Sequence, residues 1–207
     1  GVAHLTIPLA RRGLRVTAVE PNAAMRAHGV KRTADLADVR WQAGTGDATG
    51  QPDSAFDLVT FGSSFNVTDR ALALKETARI LKPGGWFACL WNHRDLDDPL
   101  QAAIEGLIKK RIPGYDYGAR REDQAPVVAA CGLFGKVECF EARVTHKQAL
   151  ADCLEAWGSH ATLQRQAGDA FPQVLDDIRL FLDGLKRSEI EVPYITRVWA
   201  APVRKSR

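Results

Sequence analysis

Glu20 and Asp47 are the residues from which chemistry can be argued first. Glu20 closes the apolar run Leu14–Val19 and is followed by a Pro21-Asn22 turn. Asp47 and Ala48 end the glycine loop Gly44-Thr45-Gly46, which follows a second short run, Val39–Ala43. An ionised carboxylate offers acceptors only, so an acid at a strand end suits a diol such as a ribose. A third apolar run, Phe56–Phe61, leaves through Gly62-Ser63-Ser64-Phe65-Asn66, and a fourth, Trp86–Trp91, through Asn92-His93-Arg94-Asp95. His93 and Asn66 are the candidates for catalytic proton handling, because both sit just past the end of a strand. His160, in Trp157-Gly158-Ser159-His160, and Tyr194 are further candidates in the later half. Trp91, Trp157, Tyr115 and Tyr117 could wall a flat substrate, although such residues are more often core. Arg94, Arg120 and Arg121 could hold a carboxylate, with surface charge the simpler account for Arg120. Glu20 alone is equally a solvated strand-end acid, and Asp47 alone equally a turn residue. The pair, at the ends of consecutive strands, is the stronger signal.

These residues need elements to hold them. Leu5, Leu9 and Ala10 have helical spacing, so a helix is expected to begin close to Gly1 and to end at Gly13. Strand Leu14–Glu20 is followed by helix Ala23–Gly29, capped by Asn22, with Ala24 and Met25 toward the core. Strands Val39–Ala43 and Phe56–Phe61 come next, the latter apolar enough to be buried on both faces. Helix Asp69–Leu81 should bury Ala71, Leu74, Ala78 and Leu81, and Lys82-Pro83-Gly84-Gly85 should stop it ahead of strand Trp86–Trp91. The second half reads as helices Pro99–Ile112, Gln124–Cys131, Ala149–Trp157 and Phe171–Leu185. Between and after them come strands Lys136–His146 and Ile190–Val203, the last expected at an edge because of Pro193. Strands joined by helices, with polar residues after the strand ends, define a doubly wound α/β sheet.

The 207 residues are expected to form a single domain, 1–207, with a ligand-binding half to residue 95 and a substrate-side half from 96. A net charge of +3 argues against a dedicated nucleic-acid binder. Cys89, Cys131, Cys139 and Cys153 form no CxxC pair and have no histidine at ligand spacing, so no metal is expected, and free thiols fit a reducing cytoplasm. No apolar run reaches membrane-spanning length, and the start of the chain carries no signal-peptide pattern. A monomer or homodimer acting on a small molecule is expected.

Val19-Glu20-Pro21-Asn22, Gly46-Asp47-Ala48, Phe56-Asp57-Leu58-Val59 and Arg79-Ile80-Leu81-Lys82-Pro83-Gly84-Gly85 together carry a resemblance. Over residues 1–95 the chain resembles class I S-adenosylmethionine-dependent methyltransferases. The particular likeness is to the type 11 group, related to the trans-aconitate and ubiquinone/menaquinone-biosynthesis enzymes. The resemblance implies S-adenosyl-L-methionine as cofactor and a Rossmann-like methyltransferase sheet, mostly parallel, with an antiparallel last strand and helical cap elements in the second half. It implies that Glu20, beside Pro21, holds the ribose hydroxyls, and that Asp47 and the Ala48 N–H hold the adenine. By the same likeness Gly62 and Ser63 pass the methionine part, and Gly1 and Ala3 belong to the glycine turn. Trp91, Trp157, His160 and Tyr194 fall on the substrate side. Family members begin with a strand that is missing here, so strand Leu14–Glu20 corresponds to their second. Without that strand the chain is expected to be poorly soluble or unable to bind the cofactor. Two other readings stand beside methyl transfer. One is an NAD(P)-dependent oxidoreductase using the same acid, and the other is an inactive methyltransferase-like binding module.

Overall fold

The computed structural model describes residues 1–205. In chain order it holds α1 (Thr6–Ala10), β1 (Val16–Val19), α2 (Ala23–Arg32), β2 (Val39–Gln42), β3 (Phe56–Gly62), α3 (Arg70–Ile80) and β4 (Leu81–Arg94). These are followed by α4 (Pro99–Arg111), α5 (Ala125–Ala130), β5 (Glu138–Ala149), α6 (Leu150–Gly158), α7 (Ala161–Ala167), α8 (Phe171–Gly184) and β6 (Glu189–Pro202). The chain divides into two compact units. One comprises Gly1–Trp91, Asp123–Phe140 and the stretch from Val198; the other comprises Asn92–Glu122 and Glu141–Arg197.

In the first unit β1 pairs with β2 in parallel, Val16 opposite Val39 through Val19 opposite Gln42. β3 pairs with β4, also in parallel, in a second sheet of order β3-β4-β6-β5. Phe134 and Val203 add an antiparallel bridge. The fold is thus the α/β, mostly parallel, Rossmann-like arrangement with an antiparallel strand.

Several local expectations change. The first helix starts at Thr6, not near Gly1, which puts Pro8 in its first turn, where a missing N–H costs nothing. Gly13, at φ 81°, ends that segment by donating to the Ala10 carbonyl at 2.9 Å. Asn22 caps α2 as expected, its Oδ1 accepting from the Met25 N–H at 3.0 Å. Ala24 and Met25, however, lie on the exposed side, and the buried residue is Gly29. A Cβ at Gly29 would stand 2.1 Å from Trp41 Cη2. The helix therefore lies flush on β2 through a glycine, which hydrophobic spacing cannot reveal. Trp41 is itself fixed, its Nε1 donating to Thr33 Oγ1 at 2.9 Å. Alanine would gain about 1 kcal/mol of helix propensity, but overpacking against a pinned indole costs about 1–3 kcal/mol. Gly29→Ala is therefore expected to destabilise the protein by up to about 2 kcal/mol in a denaturant titration, a balance of those two terms.

Asp69 caps α3, accepting from the Leu72 N–H at 3.0 Å, but the buried face is Ala73, Leu74, Thr77 and Ile80, with Ala71 exposed. Phe56 pairs with Leu81 and Leu58 with Trp86, so Lys82–Gly85 is extruded as a bulge of β4 instead of capping the helix. Gly84 turns that bulge at φ 80°. Phe61, Phe65, Phe87 and Phe134 meet at the centre of this unit's core, beside Leu74, Trp91 and Trp199.

The second unit packs α4, α6, α7 and α8 around Ile104, Ile108, Trp157, Leu163, Val174, Ile178 and Leu182. α7 has no counterpart in the expected elements. β6 is interior to its sheet, not at an edge; the edge is β5, whose side chains, Phe140 and Val144 included, are almost all exposed. Within β6 the Pro193 carbonyl accepts the Asp95 N–H, just past the end of β4, at 2.9 Å.

Candidate functional site

Three strand ends and one turn converge in the first unit. Glu20 follows β1, and its Oε1 accepts the Asn22 N–H at 2.8 Å. Its Oε2 engages the Gly1 amino group, so the turn before α1 sits on this acid. Ala3, in that turn, is buried and takes φ 75°, a conformation that suits glycine. That is the property expected of a residue standing for a glycine. Pro21 is exposed and sets the turn that follows Glu20.

The loop after β2 rests on both neighbouring strands. A Cβ at Gly44 would lie 2.9 Å from Val19 Cγ1, and one at Gly46 would lie 2.9 Å from Phe61 Cε1. Thr45 and Ala48 close the loop on themselves, with the Thr45 N–H donating to the Ala48 carbonyl at 3.1 Å. Among the described residues the exposed Asp47 carboxylate has no hydrogen-bond or ion-pair partner. After β3, a Cβ at Gly62 would lie 3.0 Å from Leu5 Cδ2, so α1 is seated directly against this strand end. Ser63 takes φ 53°, and its N–H donates to the Leu90 carbonyl at 2.8 Å. Gly1, Ala3, Glu20, Gly44–Ala48, Gly62 and Ser63 thus form one polar rim with a glycine wherever backbone must approach a neighbour.

Asn66 and Trp91 are brought together in the same unit, for packing. Trp91 is fully buried, its ring lies edge-on to Trp199, and its Nε1 donates to Asn66 Oδ1 at 3.0 Å. Asn66 thereby satisfies a buried indole.

The second unit gathers His93, Trp157, His160 and Tyr194 with residues of the 113–121 loop. His93 Nε2 lies 2.9 Å from the Arg120 carbonyl, which can only accept, so Nε2 carries the hydrogen and Nδ1 keeps its lone pair. Burial, with the Arg121 charge, lowers the His93 pKa to about 4, so the ring is neutral near pH 7. His160 caps α7, Nδ1 accepting the Leu163 N–H at 3.2 Å, and burial again lowers its pKa to about 4. Its ring stands 5.4 Å from Trp157 and 6.2 Å from Tyr117. Arg94 Cζ lies 4.1 Å from the Trp157 ring centroid and 5.8 Å from that of Tyr194. Tyr117 donates to Glu105 Oε2 at 3.0 Å and carries the Arg121 guanidinium on its face at 4.1 Å. Sequence reasoning passed over Glu105, whose signal is Lys109 four residues along α4, and Thr49, whose partner Glu76 lies 27 residues away.

An open α/β fold with acids and glycines at consecutive strand ends is the arrangement of Rossmann-like nucleotide-binding folds. Residues 1–89 match the family model described as methyltransferase domain, of the type 11 group. Through that stretch the chain is similar to the class I, type 11 methyltransferases. The ubiquinone/menaquinone biosynthesis C-methyltransferase UbiE of Caulobacter vibrioides is 36% identical over 100 residues, which is 47% of this chain and 39% of that protein. The chain therefore spans about two fifths of the length of the curated relatives it matches. A provisionally named type II methyltransferase of Anaeromyxobacter dehalogenans shares the fold at TM-score 0.67 and 18% identity, over 98% of this chain and 86% of that one. The Haemonchus contortus phosphoethanolamine N-methyltransferase 2, in complex with phosphomonomethylethanolamine and S-adenosylhomocysteine, does so at TM-score 0.54 and 15% identity. That match spans 98% of this chain and 46% of that one. No helix among the described residues is long and apolar enough to cross a membrane.

Proposed function

We propose that the protein transfers a methyl group from S-adenosylmethionine to a small-molecule acceptor. The convergence of Glu20, the Asp47 loop and the Gly62-Ser63 turn on the glycine turn before α1 carries this reading. The residues fit the cofactor. Glu20 accepts the Asn22 N–H on Oε1 and engages the Gly1 amino group through Oε2, and each carboxylate oxygen keeps a second lone pair for a diol. Asp47 is exposed and uncommitted, as an acceptor for an exocyclic amine must be. Gly62 and Ser63 keep the wall beside them low, since a Cβ at Gly62 would meet Leu5. The bound cofactor supplies an electrophilic methyl group on a sulfonium.

The chain's own contribution is alignment of acceptor and methyl donor, which is most of what a protein can give an in-line displacement. His93 serves acceptors that must lose a proton. It is neutral near pH 7, its tautomer is set by the Arg120 carbonyl, and Nδ1 is the free base. Trp157, His160 and Tyr194 of the second unit are our candidates for holding the acceptor. The relative from Caulobacter is named a C-methyltransferase and the Haemonchus structure an N-methyltransferase, so both support small acceptors while differing in the atom methylated. Four free cysteines fit a cytoplasmic protein, which we take to be a monomer or homodimer that acts on neither nucleic acid nor membrane.

Calorimetric titration of S-adenosylhomocysteine into the full-length protein tests the reading. Glu20→Ala is expected to weaken binding by about 1–3 kcal/mol, the scale of a hydrogen bond to a charged group. Equal affinity in wild type and variant would remove Glu20 from the cofactor site.

A further inference from the structure

Arg111, Arg143, Arg179 and Arg197 of the second unit are paired with carboxylates, whereas three other arginines, close together in the fold, are not. Among the described residues no carboxylate lies within ion-pair distance of Arg94, Arg120 or Arg121. Glu105, which accepts from the Tyr117 hydroxyl beneath Arg121, is already engaged by Lys109 at 2.7 Å. Arg121 donates to the Arg94 carbonyl at 3.1 Å and Arg120 to Thr162 Oγ1 at 3.3 Å. Arg94 Nε and Arg121 Nε are buried with no acceptor. Trp157, only 1% exposed and lying under Arg94, also leaves its Nε1–H without one. A buried guanidinium is normally paired, and a buried N–H is normally satisfied. Here the Nε–H groups of two half-buried guanidiniums and an indole N–H are short of acceptors in the same cluster, and all of these groups are donors.

We propose that Arg94, Arg120 and Arg121, with the Trp157 indole N–H, bind an oxyanion group, a carboxylate or phosphate, carried by the methyl acceptor. The assignment of that group to the acceptor rests on the methyl-transfer reading; the anion site itself does not. Planar guanidiniums supply paired donors matched to both oxyanions. The Tyr117, Trp157 and Tyr194 rings hold Arg94 and Arg121 in place by cation–π contact. The acceptor class is therefore a small acid or phosphoester, not a neutral lipid-like ring.

The test follows the Trp157 indole N–H resonance, identified by its nuclear Overhauser contacts with His160. Sodium benzoate and sodium phosphate are titrated into the full-length protein at constant ionic strength without S-adenosylhomocysteine. A saturable shift at millimolar probe is expected, and Arg94→Gln and Arg121→Gln are each expected to weaken it at least tenfold. Tighter benzoate binding identifies the anion as carboxylate, and tighter phosphate binding as a phosphoester. No saturable wild-type shift with either probe, or unchanged affinity in a folded variant, overturns the site. Should Arg94→Gln unfold, the wild-type titration and Arg121→Gln still decide. S-adenosylhomocysteine binding measured on the same samples separates the two ideas. If it persists while the anion fails, only this inference falls. If it is absent while the anion binds, only the methyl-transfer reading falls.

Discussion

Phe87→Ala is expected to remove about 3–5 kcal/mol of unfolding free energy, the range for deleting a buried aromatic side chain. Phe87 is wholly buried on β4, with ring centroids of Phe61, Phe65 and Phe134 at 6.0, 5.4 and 5.5 Å. The loss combines the transfer term of a large apolar side chain with the cavity left among three other rings. Its consequence reaches the site. Phe61 is the residue before Gly62, and its ring edge is the surface on which Gly46 rests. A hole beside Phe61 frees both the Gly62-Ser63 turn and the Asp47 loop. S-adenosylhomocysteine affinity should therefore fall along with stability. Urea unfolding followed by far-ultraviolet circular dichroism measures the first effect. A conservative Phe87→Leu should cost under about 1.5 kcal/mol. A Phe87→Ala loss no larger than that of Phe87→Leu would mean that the cluster collapses onto the space, contrary to the packing described.

The sequence exposes what is periodic or stereochemically forced. β4 is largely buried from Phe87 to Trp91, as expected of that run, and Asn22 and Asp69 are cap residues ahead of helical spacing, so these were legible. β3, expected to be buried on both faces, leaves Asp57 and Leu58 exposed, and β4 extends back to Leu81. Contacts made by absence were not. Gly29 seats α2 on Trp41, yet a glycine contributes nothing to an apolar stripe, so the pattern pointed to Ala24 and Met25. Thr77 occupies the buried face of α3 as a polar residue, which displaced the expected face by one position. Pro193 suggested an edge strand, but a local rule about one missing N–H does not fix a strand's place in the sheet, and β6 lies between β4 and β5.

The site divides in the same way. Glu20, Asp47 and Gly62 were readable because strand ends advertise their ligand-facing residues. The second unit was less so. Trp157 and Tyr194 were singled out as rings, but what gives them chemistry is Arg94 lying over both, a contact that spans 63 and 100 residues of sequence. Arg120 reads as surface charge and proves half-buried, with burial lowering its pKa.

Glu76→Gln is expected to cost about 3 kcal/mol at neutral pH, from a carboxylate held near 2 against 4.5 when unperturbed. Glu76 is nearly buried, with its side chain 10% exposed, so solvent screening takes little from this figure. Its Oε2 accepts from Arg79 Nε at 2.7 Å; its Oε1 accepts from Arg79 Nη2 at 2.8 Å and from the Thr49 N–H at 3.0 Å, with the Thr49 hydroxyl as a further donor. The Arg79 bonds are the main cause of the lowered pKa, and burial opposes them. Arg79 also donates to the Gln51 carbonyl at 2.7 Å and pairs with Asp53, so one carboxylate ties residues 49–53 to α3. Those residues directly follow Asp47 and Ala48, which gives the acid loop its far anchor. The folded pKa lies below the unfolded one. The stabilisation is therefore fully present above pH 4.5 and is lost as pH falls toward about 2. Unfolding free energy measured across that range should decline in wild type more steeply than in Glu76→Gln, and the gap between the two should close at the acid end. Parallel pH profiles for the two proteins would show that Glu76 titrates alike in folded and unfolded chains, and the anchor would then have to be sought in Arg79 and Asp53 alone.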